Sequence, residues 1–318
     1  MSNGSTGPVE RHHPRLDALV ASDSALEVVV DMSSYEGPHW LESPTWDSRS
    51  GSLLFSDVKA NAIWRWEPER GLSLFMQPSG YTGDPPFAGQ EPGANGLAFD
   101  HQGRLILCEH GDRRVCRLEA DGRKTVLADR YNGRRLNSPN DIVCRSNGDI
   151  CFTDPPFGLP RQFDDPGREL AFSGVYRLSQ EGELALLLDT LKAPNGIAFS
   201  PDGNTLYLAD GDPGRSAVLA YAVDQEGRPG EERVLLDVTE LPGLGGPDGL
   251  EVDRLGNIYA AGREAVFVVA ADGTHLGTIR MGAITTNLGW GENGSTLFIT
   301  TETRLLRLRV RTRGLGFG

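Results

Sequence analysis

Six residues of the chain stand at one position of a recurring phrase, and each carries a side-chain oxygen: Glu42, Asn95, Asn140, Asn195, Asp248 and Asn287. Taken singly, most have an ordinary explanation, because Asn-Gly, Asp-Gly and Pro-Asn are common turn dipeptides. The set asks for more. Glu42 and Asp248 are not favoured there for packing, and Asn140 is followed by Asp rather than Gly. If the six converge on one axis, their buried charge and lone pairs go unsatisfied at high cost unless a cation lies among them. Two carboxylates plus amide oxygens, without His or Cys, suit a hard ion taking many oxygens at relaxed geometry: Ca²⁺ first, then Mg²⁺ or Mn²⁺. The six His residues fall outside the position, and His39 and His110 are expected at the rim.

The elements that must position these residues are legible as a repeat. The phrase is a polar residue, an apolar strand, a turn and a second strand, as in NGLAFDHQGRLILCEHG from Asn95 and NGIAFSPDGNTLYLADGD from Asn195. Its six copies start 53, 45, 55, 53 and 39 residues apart, and most continue into a third strand such as GVYRLSQ or AVFVVAA. Units of roughly 40 to 50 residues with three or four short antiparallel strands are propeller blades, so an all-β, six-bladed β-propeller is expected. The first strand of each blade lines the central tunnel, which brings the six positions together. The last copy is a strand short, and the unassigned run Leu26–Val30 is expected to join it and close the ring. Residues 1–25 read as a mobile lead and 26–318 as a single propeller domain. Two Gly/Pro/Asp-rich insertions, 78–92 and 155–173, read as loops over one face of the disc.

Composition narrows the function. A 38% hydrophobic content broken by 40 Gly and 20 Pro is globular. The formal net charge is −13, with scattered Lys and Arg, so no footprint for a nucleic-acid backbone is present. No uncharged apolar run reaches the length of a membrane span, and the first twenty residues lack the apolar core and cleavage site of a secretory signal. A soluble, cytoplasmic protein is expected. The four cysteines, 108, 116, 144 and 151, form no zinc pattern. Counting outwards from a two-residue turn at Asn147-Gly148 sets Cys144 opposite Cys151, as free thiols in a reducing cytosol.

The quoted segments, together with ESPTW–SLLFSDV, RRLNSPNDIVCRSNGDICFTDPPFGL and GPDGLEVDRLGNIY, resemble the senescence marker protein/gluconolactonase/luciferin-regenerating enzyme family over about residues 26 to 310, most closely its bacterial gluconolactonase-like branch. The resemblance implies a six-bladed propeller with a tunnel Ca²⁺, or alternatively Mg²⁺, Mn²⁺ or Zn²⁺, that hydrolyses aldonolactones and related esters. It places the metal ligands on Glu42, Asn140, Asn195 and Asp248, four of the six positions the repeat picks out. Where animal members carry a sugar-contacting arginine, this chain has Ser138, and nearby Arg135 is the candidate substitute.

No G-x-S-x-G elbow or HExxH motif is present, which leaves catalysis to the metal centre. The expectation is a metal-dependent lactonase in which the cation polarises the carbonyl of a small sugar lactone and Asp248 deprotonates the attacking water. Asn95, Glu109, Asn137 and Asp154 are expected at the tunnel mouth as sugar-binding groups. The alternatives are a non-catalytic binding propeller with a structural Ca²⁺, and a related esterase or phosphotriesterase.

Overall fold

Alternating apolar residues bounded by glycine turns fold here as six antiparallel blades, five of four strands and one of five, among the residues described by the computed structural model, 8–241 and 246–317. Blade 1 runs from tunnel to rim as Leu41–Asp47, Ser52–Asp57, Ala62–Glu67 and Gly71–Met76. Blades 2, 3 and 4 repeat this order, their inner strands being Ala94–Phe99, Ile142–Cys144 and Pro194–Phe199. Blades 5 and 6 begin with Leu250–Val252 and Thr285–Gly291. Each inner strand touches the next around the ring, and the sixth touches the first.

The ring closes as the repeat implied. Leu26–Asp31 pairs antiparallel with Arg304–Arg309 and completes blade 6 from the far end of the chain. Asp31 fixes the end of this strand by accepting from Ser33 N–H at 2.9 Å and from Arg304 Nε at 2.9 Å. The core lies between neighbouring sheets: Val30, Leu41, Phe55 and Trp66 pack with Phe298 and Leu305 across the blade 6/blade 1 seam.

The lead into the propeller departs from expectation. From residue 8 onward it is packed: Val9–Arg11 adds a fifth strand to blade 5, pairing with His275–Arg280, and a 3₁₀ turn follows at Pro14–Ala18. Leu16 is fully buried with Leu19 and Val20 against blades 5 and 6. Three apolar side chains among polar ones carry too little periodicity to announce this in sequence, yet they cover an otherwise open sheet edge. Residues 1–7 lie outside the described residues.

The cysteine register also differs. The turn has three residues, Ser146, Asn147 and Gly148, with Gly148 at φ 87°, and Arg145 N–H bonds Asp149 O. Cys144 therefore faces Ile150, and Cys151 faces Val143. A slip of one residue moves a side chain to the other face of a sheet. Cys144 accordingly joins the cluster between blades 2 and 3 and Cys151 that between blades 3 and 4. All four thiols are free.

Candidate active site

The six repeat positions sit where the inner strands begin, and the ladder is broken there. Between the first and second strands the register slips at Glu42/Thr45, Ala94/Leu97, Pro194/Ile197 and Thr285/Asn287. In blades 3 and 5 named strands start only at Ile142 and Leu250, two residues past Asn140 and Asp248. A bulge leaves a residue out of the ladder and re-aims its side chain, which frees these groups to face the axis. Ser43, at φ 45°, is the strained member of the first bulge.

The glycines that follow three of these residues are there for close approach, not for turning. Gly96 N–H donates to Asn140 O at 2.7 Å, Gly196 N–H to Asp248 O at 3.1 Å, and Gly249 N–H to Thr286 O at 2.9 Å, each bond crossing to the next blade. A Cβ on any of the three would lie closer than 3.0 Å to the neighbouring blade, and none has a positive φ. The dipeptides that resemble turns are therefore inter-blade stitches.

Glu42, Asn140, Asn95 and Asn287 are buried at 3–4% exposure, while Asn195 and Asp248 are half-buried. Burial, then the charges of Asp248, Asp141 and Glu91, hold the Glu42 carboxyl well above its ordinary range. Burial, with Asp141 and Glu91, does the same to Asp248. Asn195 is within hydrogen-bonding reach of Asp248, and Asn287 of both Glu42 and Asp141. Asp141 itself, pushed up to about 7 by burial, accepts from Ile197 N–H at 3.0 Å and ties blade 3 to blade 4. Two buried side-chain oxygens at the ring, Glu42 Oε2 and Asn95 Oδ1, have no hydrogen-bond partner. Such oxygens are costly to bury unpaired.

Of the residues expected to bind sugar, Asn95 lies on the ring and the others do not reach it through any bond described. Glu109 is fully buried within blade 2, its carboxylate held by Arg114 and by Lys124 Nζ at 2.6 Å. Arg135 is spent on Asp112 O at 2.9 Å, while its backbone N–H meets Glu169. Asp154 accepts the backbone N–H groups of Asn137 and Ser138, both at 2.8 Å. It thereby clamps the loop that leads to Asn140, and Asn137 closes the clamp through Asp154 O and Phe172 O. Asp57 and Asp210 cap the equivalent loops at Trp40 and Ala193. Ser138 Oγ binds Pro155 O and Gly158 N–H, anchoring the second insertion.

Two groups at the site were not found by the repeat. His110, expected at the rim, is fully buried, with Nε2 3.3 Å from Asn140 Nδ2. Its Nδ1 lies 3.1 Å from Glu91 Oε2, at ion-pair distance but off the line of a straight hydrogen bond. Glu91 comes from the first insertion and lines a cavity of about 360 Å³ with Phe157, Arg161 and Gln162 of the second. The two insertions thus meet beside the ring. No local pattern marked His110, which sits in the turn just beyond the second strand of blade 2, Leu105–Glu109.

A six-bladed propeller with oxygen-bearing side chains at the starts of its inner strands, and two insertions meeting beside one of them, defines the class of protein. Residues 40–303 match the SMP-30/Gluconolactonase/LRE-like region, and the chain belongs to that family. It is 36% identical over 322 residues to a gluconolactonase of Zymomonas mobilis, covering 98% of this chain and 89% of that protein. A pentonolactonase of Haloferax volcanii is 28% identical over 86% of this chain and 84% of its own length. A solved gluconolactonase structure from Xanthomonas campestris superposes with a TM-score of 0.81 at 33% identity, covering 95% of each chain. Among the described residues no helix is long and apolar enough to cross a membrane.

Proposed function

We propose that the protein is a metal-dependent lactonase of the gluconolactonase type, opening an aldonolactone to its sugar acid with water as the nucleophile. The observation that carries the metal is the pairing of two desolvated carboxylates, Glu42 and Asp248, with an unpartnered buried oxygen on Glu42. Among the described residues no three His, Cys, Asp or Glu side chains group closely enough to hold an ion, so the set needs the amide oxygens of Asn140 and Asn195 as well. That donor set suits Ca²⁺, with Mg²⁺, Mn²⁺ or Zn²⁺ as alternatives. Near-full-length identity with lactonases supports the reaction class.

A divalent cation bound there supplies Lewis-acid polarisation of the carbonyl and neutralises the charge that develops on its oxygen. The chain's own residues do the rest. Asp248, part-exposed at the mouth, accepts the proton of the attacking water at its carboxylate, and Asn195 holds it in place. Asn287, beside Glu42, donates to Ser43 Oγ at 3.5 Å and accepts from Leu288 N–H at 2.8 Å. The cavity edged by Glu91, Phe157, Arg161 and Gln162 is the adjoining space where a polyhydroxylated ring fits, with polar groups for its hydroxyls and one aromatic face.

The test is a set of initial rates on aldonolactones and aryl esters, using chelator-treated protein reconstituted with each ion. Lactone hydrolysis that vanishes with the chelator and returns with one ion is the expected result. Hydrolysis unaffected by chelation overturns the metal, and no hydrolysis with any ion leaves a binding propeller.

A further inference from the structure

We propose that the Glu91–His110 pair decides which end of the Asn140 amide faces the tunnel, and so presets the cation site before any ion arrives. The inference rests on the metal reading above and concerns residues outside the ligand set.

An amide nitrogen can only donate. With Asn140 Nδ2 3.3 Å from His110 Nε2, that ring nitrogen must be the bare one and accept. The neutral imidazole then carries its hydrogen on Nδ1, which is buried and has the Glu91 carboxylate as its neighbour at 3.1 Å. A carboxylate favours that tautomer over the reverse, so the chain of preference runs from Glu91 through His110 to Asn140. With Nδ2 committed to the histidine, Oδ1 is presented at the other end of the amide. Remove the histidine and the two ends differ little in what they gain, so the NH₂ group can point at the ion's place.

The packing makes the device stiff. A Cβ on Gly158 of the second insertion would lie 2.5 Å from His110 Cβ, so that loop rests directly on the imidazole. Glu91, in turn, forms part of the wall of the neighbouring cavity. The pair therefore joins the two insertions to the ring and is a positioning element, not a ligand. Outer partners that hydrogen-bond a metal ligand commonly fix its orientation.

The experiment measures ion affinity, independent of turnover. Metal-free wild-type protein, His110→Phe, His110→Gln and Glu91→Leu are titrated with Ca²⁺ and with Mn²⁺ by calorimetry, each also in an Asn140→Asp background. His110→Phe is expected to weaken binding by about 10- to 100-fold. His110→Gln, whose side-chain oxygen still accepts from Asn140, should stay within about threefold of wild type. A carboxylate at 140 has an oxygen at either end, so in that background His110→Phe and Glu91→Leu should each cost less than about threefold, the coupling a double-mutant cycle isolates.

Wild-type affinity in His110→Phe overturns the proposal, as does an equal loss in both backgrounds. Should His110→Phe not fold, Glu91→Leu carries the same comparison from a part-exposed position, and wild-type affinity there is equally fatal. If wild-type protein binds neither ion, the metal reading fails and takes this proposal with it. If wild type binds and the variants match it, only this proposal fails.

Discussion

Gly196 of blade 4 and Asp248 of blade 5 are in backbone contact: the Gly196 N–H donates to the Asp248 carbonyl at 3.1 Å, and a Cβ at 196 would lie closer than 3.0 Å to that oxygen. Gly196→Ala is therefore expected to push blade 5 outward at its most chemically loaded residue. The overpacking should cost about 1–3 kcal/mol by urea unfolding and lower the lactonase rate as well. Gly211→Ala is the control, because its Cβ would meet nothing nearer than 3.6 Å. Equal stability for the two variants would refute the contact.

Asp248→Asn keeps an oxygen at the site and removes both a charge and the proton acceptor. With the ion saturating, the lactonase rate should fall by at least about 10²-fold, the lower range for losing a general base. Asn195→Asp retains oxygen ligation and should still bind the ion. Near wild-type hydrolysis by Asp248→Asn would move the base elsewhere, with Glu91 the next carboxylate to test.

Leu16 has no exposed surface and packs against Gly277, where a Cβ would collide with its side chain. Leu16→Ala should cost about 2–5 kcal/mol, the range for a buried leucine, although it lies outside every repeat. Unchanged urea unfolding would show that the lead is not part of the folded unit.

Asp31 holds the closing strand to Arg304, and its hydrogen bonds to Ser33, then to Arg304, lower its pKa from 3.8 to about 2. A depressed carboxylate stabilises the fold fully above its unfolded value and loses that contribution as pH falls through the folded one. Stability should therefore decline between about pH 4 and pH 2 in wild type. In Asp31→Asn that part of the decline should be absent. Identical acid profiles for the two proteins would exclude this link.

The sequence by itself determined the repeat, and with it the number of blades, the closing strand and the six oxygen-bearing residues at the starts of the inner strands. These follow from a local pattern copied six times, and equivalent positions in a closed ring must share an axis. Glu42, Asn95, Asn140, Asn195 and Asp248 could be placed at the starts of the inner strands for that reason. Glu109 and Arg135 stand outside the repeat positions, so the repeat says nothing of their partners. Glu109 meets Arg114 and Lys124, Arg135 meets Asp112 O, and His110, next to Glu109, approaches Asn140.

Only the tertiary structure decided what comes from outside the repeat. Glu91 reaches His110 from an insertion with no period, the three-residue turn at Ser146–Gly148 moves Cys144 and Cys151 to opposite faces, and Leu16 closes against a strand, His275–Arg280, more than 250 residues away in sequence. Each depends on contacts between segments distant in the chain, and such contacts leave no local pattern to read.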